Sequence, residues 1–280
     1  MIVADWLPID VKGWFNERAF IRETVDDIKY AYKKLKMPFI LGVSGGVDSA
    51  VCAALLKKAK VPSYFFYIGI ESSDSAWEGV KQLEEALGLE VHYTNMDASL
   101  NAVLTDTDTG CNLTVGKPIT FTRYPHTVDG SVVLLVQSNV KARLRMIQQY
   151  AMANLFGGLV VGTENRSESY VGYATKYGDA ACDVTLIDSL TKAEVLAVGK
   201  RLKIPQSILD KAPSADLWSG QTDEGELGFT YEDLDRYLLC MDNPHSKEIR
   251  DKIVHLHKST RHKFKAPPNI MHLLEEAQDK

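Results

Sequence analysis

Apolar residues along this chain alternate between short unbroken runs and longer stretches spaced by three and four. The short runs, Pro38 to Val43, Ser63 to Ile70, Glu90 to Thr94, Leu159 to Gly162 and Val184 to Ile187, predict strands. Helical patterns separate them, which predicts an α/β fold: an open parallel sheet of about five strands with helices on both faces. Ahead of the first strand, residues 1–37 read as an N-terminal helical extension. Its helix runs from about Asn16 to Leu35, with Phe20, Val25, Ile28, Tyr32 and Leu35 on one broad side. Val140 to Phe156 gives a further helix, with Val140, Leu144, Ile147, Ala151 and Leu155 as its apolar stripe. Lys141 and Arg145 fall well round from that stripe. Arg143 projects about 60° from its centre on the helical wheel, which puts it near buried surface. Arg143 reads equally as an arginine packing its stem at the core edge or as an anion contact.

Two stretches break the periodicity. Residues 101–131 are rich in Thr, Asp and Gly and read as a loop-rich excursion. Lys211 to Gly228 combines Pro213 with three glycines and clustered acids, which predicts a mobile loop, either a lid or a solvated connection. Tyr231 to Met241 and Pro244 to His257 then read as helices, followed by a short basic tail from Ser259. A chain of 280 residues, 45% hydrophobic, can bury one large core, and a single domain is expected over 1–280. A formal net charge of -5 argues against a general nucleic-acid-binding surface. Cys52, Cys111, Cys182 and Cys240 form no C-x-x-C pair, so neither a zinc knuckle nor a dithiol centre is indicated, and a reducing cytoplasm is the simplest setting. The amino terminus lacks signal-peptide architecture, and no apolar run is long enough to span a bilayer.

The chemistry concentrates where the first strand meets the next helix, LGVSGGVDSAV from Leu41 to Val51. A strand, a double glycine and a helix in that order make a pyrophosphate cradle. Gly45 and Gly46 let the backbone approach a ligand, and the first free N–H groups of the helix point at it. Ser44 and Ser49 add hydroxyl donors. Asp48 would repel a phosphate unless a divalent cation lay between them, so it reads as a magnesium ligand. The Walker loop is excluded, because Asp48 and Ser49 stand where its lysine would be required.

GLVVGTENRSESY, from Gly158 to Tyr170, repeats the layout of strand, glycine turn and polar residues. If this strand lies beside the one ending at Val43, both loops face the crevice at a topological switch point, and Asp48 and Glu168 can share a metal. Glu168 otherwise reads as a solvated carboxylate, and Thr163 as a turn hydroxyl or a nucleotide contact.

Together these loops and the blocks after them resemble ammonia-dependent NAD synthetase, a family of glycine-loop ATP pyrophosphatases. The blocks are GVSGGVDS (Gly42 to Ser49), NVKARLRM (Asn139 to Met146), GTENRSE, TKYGD (Thr175 to Asp179), LTKAEV (Leu190 to Val195), PSADL (Pro213 to Leu217), DEGELG (Asp223 to Gly228), and His262 with Lys263. The resemblance implies a Rossmann-like, adenine-nucleotide alpha-hydrolase-like fold. It also implies a homodimer that amidates nicotinic acid adenine dinucleotide with ATP and ammonia, releasing AMP and pyrophosphate.

Carried over by position, Gly42, Val43, Ser44, Gly45, Gly46, Val47, Asp48 and Ser49 would hold the ATP phosphates, with Thr163, Lys192 and Ser214 as further ATP contacts. Asp48 and Glu168 would bind Mg2+. Arg143, Lys176, Asp183, His262 and Lys263 match dinucleotide positions. Ser214 stands where the family has Thr, which keeps the hydroxyl, and residues 101–131 do not follow the family pattern. Residues 1–37 leave no room for the amidase domain of glutamine-using relatives, so free ammonia or a partner's is expected.

A carboxylate is a poor acyl donor, so the implied chemistry adenylates the nicotinate oxygen before ammonia attacks. The departing pyrophosphate would be stabilised by the helix N-terminus, Lys192 and magnesium. Asp183 or Asp179 would take the proton from ammonium. The alternatives are another glycine-loop ATP pyrophosphatase, such as a GMP-synthetase-like amidotransferase subunit, and a non-catalytic nucleotide sensor.

Overall fold

A computed structural model of the chain describes residues 13–111, 119–121, 124–126, 130–218, 220–241 and 246–266. The amino-terminal helix α1 spans Glu17–Leu35, β1 Phe39–Gly42, α2 Val47–Ala59, β2 Ser63–Gly69, α3 Asp74–Leu87, β3 Val91–Asn95 and α4 Asp97–Cys111. A hairpin of β4 (Ile119–Phe121) and β5 (Tyr124–His126) leads into the long α5, Gly130–Phe156. Then follow β6 Leu159–Gly162, α6 Arg166–Val171, β7 Val184–Thr185, α7 Lys192–Leu202 and α8 Gln206–Leu209. The chain continues through α9 Asp223–Leu227, α10 Tyr231–Leu238 and α11 Lys247–Thr260. Pro244, where the sequence placed a helix start, lies outside the described residues.

The main sheet is parallel, in the order β3-β2-β1-β6-β7. The chain moves outward from β1 through β2 to β3, then returns to add β6 on the other side of β1, in register Phe39↔Leu159, Ile40↔Val160 and Leu41↔Val161. The switch point therefore lies between β1 and β6, and the loops leaving their carboxyl ends border one crevice.

Strand alternation fills both faces. Phe39, Leu41, Phe65 and Tyr67 pack with Ile21, Val25 and Ile28 of α1, with α2, and with Val195, Leu196 and Val198 of α7. Ile40, Phe66, Ile68 and Val160 pack with Leu100 of α4 and Leu144 and Ala153 of α5. Ten of the thirteen residues of α2 are buried, so its start is fixed by packing on all sides rather than by a side-chain cap. A third cluster joins Val171 to Leu227, Leu234, Leu238 and Ile253, which anchors the carboxyl-terminal helices beside the β6 loop.

Three expectations need correction. Residues 101–111 belong to α4, and residues 119–121 and 124–126 to the hairpin, so the excursion holds more regular structure than its composition suggested. On α1, Leu35 is 54% exposed and Ile21 takes its place in the core. On α5 the apolar stripe is only partly buried: Leu144 is in the core, whereas Ile147 and Leu155 are 54% and 71% exposed. The helix instead buries Val133, Ala142 and Ala153, and the buried cation is Lys141 rather than Arg143, which is exposed.

Candidate active site

The β1–α2 turn is shaped by contacts from α3. Gly45 has φ +78°, and a Cβ there would lie 2.3 Å from the Ala76 carbonyl oxygen, so only glycine keeps both the turn and the approach of α3. Ser49 ties the turn together: its Oγ accepts from the Ser44 amide at 3.1 Å and donates to the Gly46 carbonyl at 3.1 Å. Gly46 caps α2 with no side-chain hydrogen bond, leaving the first-turn amides available to an anion.

Opposite, Asn165 and Glu168 form a capping box on α6. The Asn165 side chain accepts from the Glu168 amide at 3.0 Å while its own Nδ2 donates to Asp48 Oδ1 at 2.8 Å. That bond joins the two loops. Lys192, the first residue of α7, completes the junction: its Nζ donates to Asp48 Oδ2 and to Glu168 Oε1, both at 2.8 Å. The start of α7 is held by Asp235, which accepts the Ala193 amide at 2.7 Å and the Ser167 hydroxyl; the Lys192 amide in turn donates to Ser167 Oγ at 3.1 Å. Lys192 is 2% exposed and lies over the Tyr231 ring, 4.9 Å from its centroid. The Tyr231 hydroxyl reaches Asp223 Oδ2 at 2.9 Å and Glu168 Oε1 at 3.4 Å.

Three carboxylates thus surround one ammonium. Burial outweighs that ammonium at Glu168 and, with Asp48 and Asp223 adding repulsion, raises its carboxyl to about 7. Burial likewise raises Asp223. Lys192 is pushed the other way by its neighbours: burial favours the neutral amine, but Asp48, Glu168 and Asp223 together hold it protonated above the usual lysine range. Asp223 Oδ1 is buried without a hydrogen-bond partner among the described residues. No three carboxylates close on a metal position among the described residues, so Asp48 and Glu168 would hold a hard divalent cation as two ligands, with water filling the rest of its shell.

These groups open onto a cleft that also takes in Gly42 to Ser44, Gly46 to Ser49, Thr163 and Ser214. Gly45 sits behind it, against α3. The α5 side contributes Gln149, whose Oε1 accepts the Gly42 amide at 3.1 Å, and Arg145, whose guanidinium donates to the Ile68 carbonyl and to Ser72 Oγ, each at 3.2 Å.

Against known proteins, the NAD synthase family model matches residues 16–267. The chain belongs to the NAD synthase family. Among curated relatives, the NH(3)-dependent NAD(+) synthetase of Syntrophomonas wolfei subsp. wolfei is 38% identical over 235 residues, 83% of this chain and 87% of the relative. That of Alkaliphilus oremlandii is 39% identical over 234 residues, 82% and 87% of the respective chains. Among solved structures, an NMN synthetase from Francisella tularensis superposes with a TM-score of 0.78 at 31% identity, covering 91% of this chain and 98% of the other. The NH3-dependent NAD synthetase from Campylobacter jejuni gives 0.67 at 26% identity, covering 91% and 100%. The fold is thus that of the NAD synthetases.

The residues expected at dinucleotide positions, Arg143, Lys176, Asp183, His262 and Lys263, are not among those lining the cleft, and Arg143 and Lys263 bond to segment 172–183 instead. Arg143 Nε donates to the Lys176 carbonyl at 3.4 Å. Lys263 Nζ donates to the Gly172 and Ala174 carbonyls, both at 2.7 Å, and burial lowers its ammonium below the usual range. His262 is exposed, with Nδ1 3.0 Å from the Ser259 carbonyl. Asp183 lines no part of the cleft; its oxygens accept the Val160 amide at 2.8 Å and the Tyr150 hydroxyl at 3.3 Å. Asp179 does line the cleft, with Oδ1 accepting the Thr175 amide at 2.8 Å.

Sequence reasoning missed Lys141, which donates to Glu71 Oε2 and to the Leu217 carbonyl at 2.8 Å each. It also missed Asn165, Tyr231, Asp223 and Gln149. Only Asn165 carried a local signal, the N-x-x-E spacing of a capping box.

Proposed function

We propose that this chain amidates nicotinic acid adenine dinucleotide with ATP and ammonia, by way of an acyl adenylate, to give NAD, AMP and pyrophosphate. The observation that carries this reading is the meeting of Asp48 and Glu168, from two separate loops, on the single ammonium of Lys192 above the uncapped start of α2. A binder without chemistry has no need of three carboxylates packed against the phosphate cradle.

The triphosphate lies along the first-turn amides of α2 and the hydroxyls of Ser44 and Ser49. Asp48 and Glu168, with Asp223 behind them, are the groups that would hold Mg2+, which when bound neutralises the phosphate charge that repels an incoming carboxylate. Lys192 and Arg145 face the same phosphates as fixed cations. The nicotinate oxygen attacks the α-phosphorus, the bond to the β-phosphate bridging oxygen breaks, and pyrophosphate leaves into this cationic wall. Ammonia then attacks the acyl carbon and AMP departs. No side chain is consumed, in keeping with a cleft that presents donors and carboxylates rather than an activated nucleophile.

Segment 211–228 serves in this account as the lid. It brings Ser214 to the cleft, and its bonds from Lys141 to the Leu217 carbonyl and from the Ser73 amide to Asp216 Oδ2 (3.0 Å) are the contacts that would make and break as it closes. Arg143, Lys176, Asp183, His262 and Lys263 are assigned to the dinucleotide. A homodimer is supported by apolar residues left uncovered along α5, Leu135, Ile147 and Leu155 among them. The free thiols of Cys52, Cys182 and Cys240 suit a cytoplasmic setting. No helix among the described residues is long and apolar enough to cross a membrane.

The likeness to an NMN synthetase supports a second reading, in which the acid that is adenylated and gives up its acyl group to ammonia is the mononucleotide lacking the AMP half. One experiment covers both: protein, ATP, Mg2+ and ammonium are mixed with either acid, and each component is omitted in turn. NAD formation that needs every component, with a higher kcat/KM for the dinucleotide, supports the first reading. A higher kcat/KM for the mononucleotide moves the assignment to the second. Pyrophosphate release with neither acid present overturns both.

A further inference from the structure

Among the described residues, three cationic side chains line the cleft, and two of them are already engaged by the protein. Arg145 donates to the Ile68 carbonyl and to Ser72 Oγ, and Lys192 donates to Asp48 and Glu168. Lys211 is the third. It is half-buried, and among the described residues its ammonium makes no hydrogen bond and no ion pair. A cation kept in a cleft without a carboxylate of its own leaves its field free to draw in an anion.

The fold fixes which part of a nucleotide Lys211 can reach. It stands two residues beyond Leu209, the end of α8, and Leu209 packs with α2 around Gly199 of α7. A Cβ at Gly199 would lie 2.9 Å from Leu209, 3.4 Å from Val51 and 3.6 Å from Val47. Val47 is the first residue of α2, so α8 ends beside the uncapped amides that face the phosphates. The Ser207 hydroxyl donates to Gln82 Oε1 and so ties α8 to α3, the helix that shapes the β1–α2 turn. Beyond Lys211 the Pro213 carbonyl accepts the Asp223 amide at 3.1 Å, which pins the base of segment 211–228 to the carboxylate corner. The other end of the cleft lies on the opposite face of the sheet, where Phe66 and Ile68 pack towards α5 and Gln149 of α5 lines the wall. Lys211 is therefore at the phosphate end and away from the base.

We infer that Lys211 binds the β- and γ-phosphates of ATP and holds the pyrophosphate as it leaves. This rests on the adenylation proposed above. As the nicotinate oxygen forms its bond to the α-phosphorus, the electron pair of the breaking P–O bond goes to the bridging oxygen of the β-phosphate, and one further negative charge collects on pyrophosphate. Lys192 meets that charge already offset by Asp48 and Glu168, and Arg145 reaches the cleft from the α5 side. Lys211, with no carboxylate bound to it, offsets the new charge undiminished. AMP keeps only the α-phosphate and makes no contact with it.

The test compares the full chain with Lys211→Met, which keeps length and removes charge. Calorimetry with Mg2+ present measures the binding of inorganic pyrophosphate and, separately, of AMP. Losing one charge-assisted contact raises the Kd for pyrophosphate by about tenfold to a hundredfold, while that for AMP holds within about twofold. The single-turnover rate of pyrophosphate release from ATP and the acid falls as well. An unchanged Kd for pyrophosphate, an equal weakening of AMP, or an unaltered rate of release would overturn the assignment. A readout on the parent protein guards against misfolding of the variant: acetic anhydride modifies the Lys211 amine more slowly with pyrophosphate and Mg2+ bound than with AMP bound, as read by mass spectrometry. Equal rates of modification also overturn the assignment. A parent protein that protects Lys211 with pyrophosphate yet makes no NAD refutes the amidation reading instead.

Discussion

Replacing Lys192 by Met removes the charge that two loops share while keeping most of the side chain's length. In the parent, Nζ lies 2.8 Å from a carboxylate oxygen of Asp48 and of Glu168, and the three side chains are 3%, 18% and 13% exposed. Removing the central partner leaves two buried carboxylates facing each other, a change that costs about 3–5 kcal/mol when one member of a buried pair is lost. The cost depends on pH. The folded-state carboxyl of Glu168 is at about 7 against an ordinary 4.5, because burial outweighs Lys192. A raised folded value means that its contribution to stability is complete below about pH 4.5 and lost as pH rises through 7. Without Lys192 that value rises further, so the variant's deficit is largest near pH 8 and shrinks towards pH 5, where Glu168 carries its proton. A divalent cation that takes over the two carboxylates returns about 2.7 kcal/mol at a hundredfold excess over its Kd. Urea unfolding of parent and variant at pH 8 and pH 5, with and without Mg2+, reads all three effects. A variant as stable as the parent at pH 8, indifferent to pH and to Mg2+, would refute the shared-charge account of the site.

Other changes test separate parts. Asp48→Asn should abolish pyrophosphate release while far-UV circular dichroism stays unchanged; wild-type release would remove Asp48 from the phosphate site. Gly45→Ala forces a left-handed backbone onto a Cβ that meets the Ala76 carbonyl at 2.3 Å, and the strained conformation alone costs about 1–2 kcal/mol. Its Tm should fall and ATP binding weaken together; a Tm equal to the parent's would show that the turn is not constrained by α3. Asp235→Ala leaves the Ala193 amide and Ser167 hydroxyl unpaired in the core and should destabilise by about 2–4 kcal/mol; a loss under 1 kcal/mol in urea would show that water replaces it.

The crevice was legible in sequence because its determinants are local. A buried strand, two glycines and an apolar helix can be read from Pro38 to Leu55, and GTENRSE repeats the layout after a second strand, so the meeting of Asp48 with Glu168 followed from ordinary α/β topology. Their shared partner did not follow from the loops themselves. Lys192 is brought in by α7, whose start is fixed by Asp235 forty-odd positions away, and only its match to the family's LTK block marked it. On α5 the wheel misled for a physical reason. Leu144 and Leu155 are nearly aligned on the wheel, yet Leu144 is buried against the sheet and Leu155 is exposed, so cover changes along the length of this helix, which periodicity cannot show. The same uneven cover buries Lys141 and leaves Arg143 exposed. Residues 101–111 were missed because Thr, Asp and Gly are weak helix formers, and helix α4 makes its contacts with α5 and the hairpin rather than through its own periodicity.

The adenylation step itself is open to direct isotopic measurement. Nicotinic acid adenine dinucleotide labelled with ¹⁸O in its nicotinate carboxylate, turned over with ATP, Mg2+ and ammonium, should transfer one ¹⁸O to the phosphate of AMP, leaving pyrophosphate unlabelled and the second ¹⁸O in the amide of NAD. Product NAD accompanied by unlabelled AMP, or by label in pyrophosphate or free phosphate, would contradict attack of the nicotinate oxygen on the α-phosphorus and with it the purpose assigned to Asp48, Glu168 and Lys192.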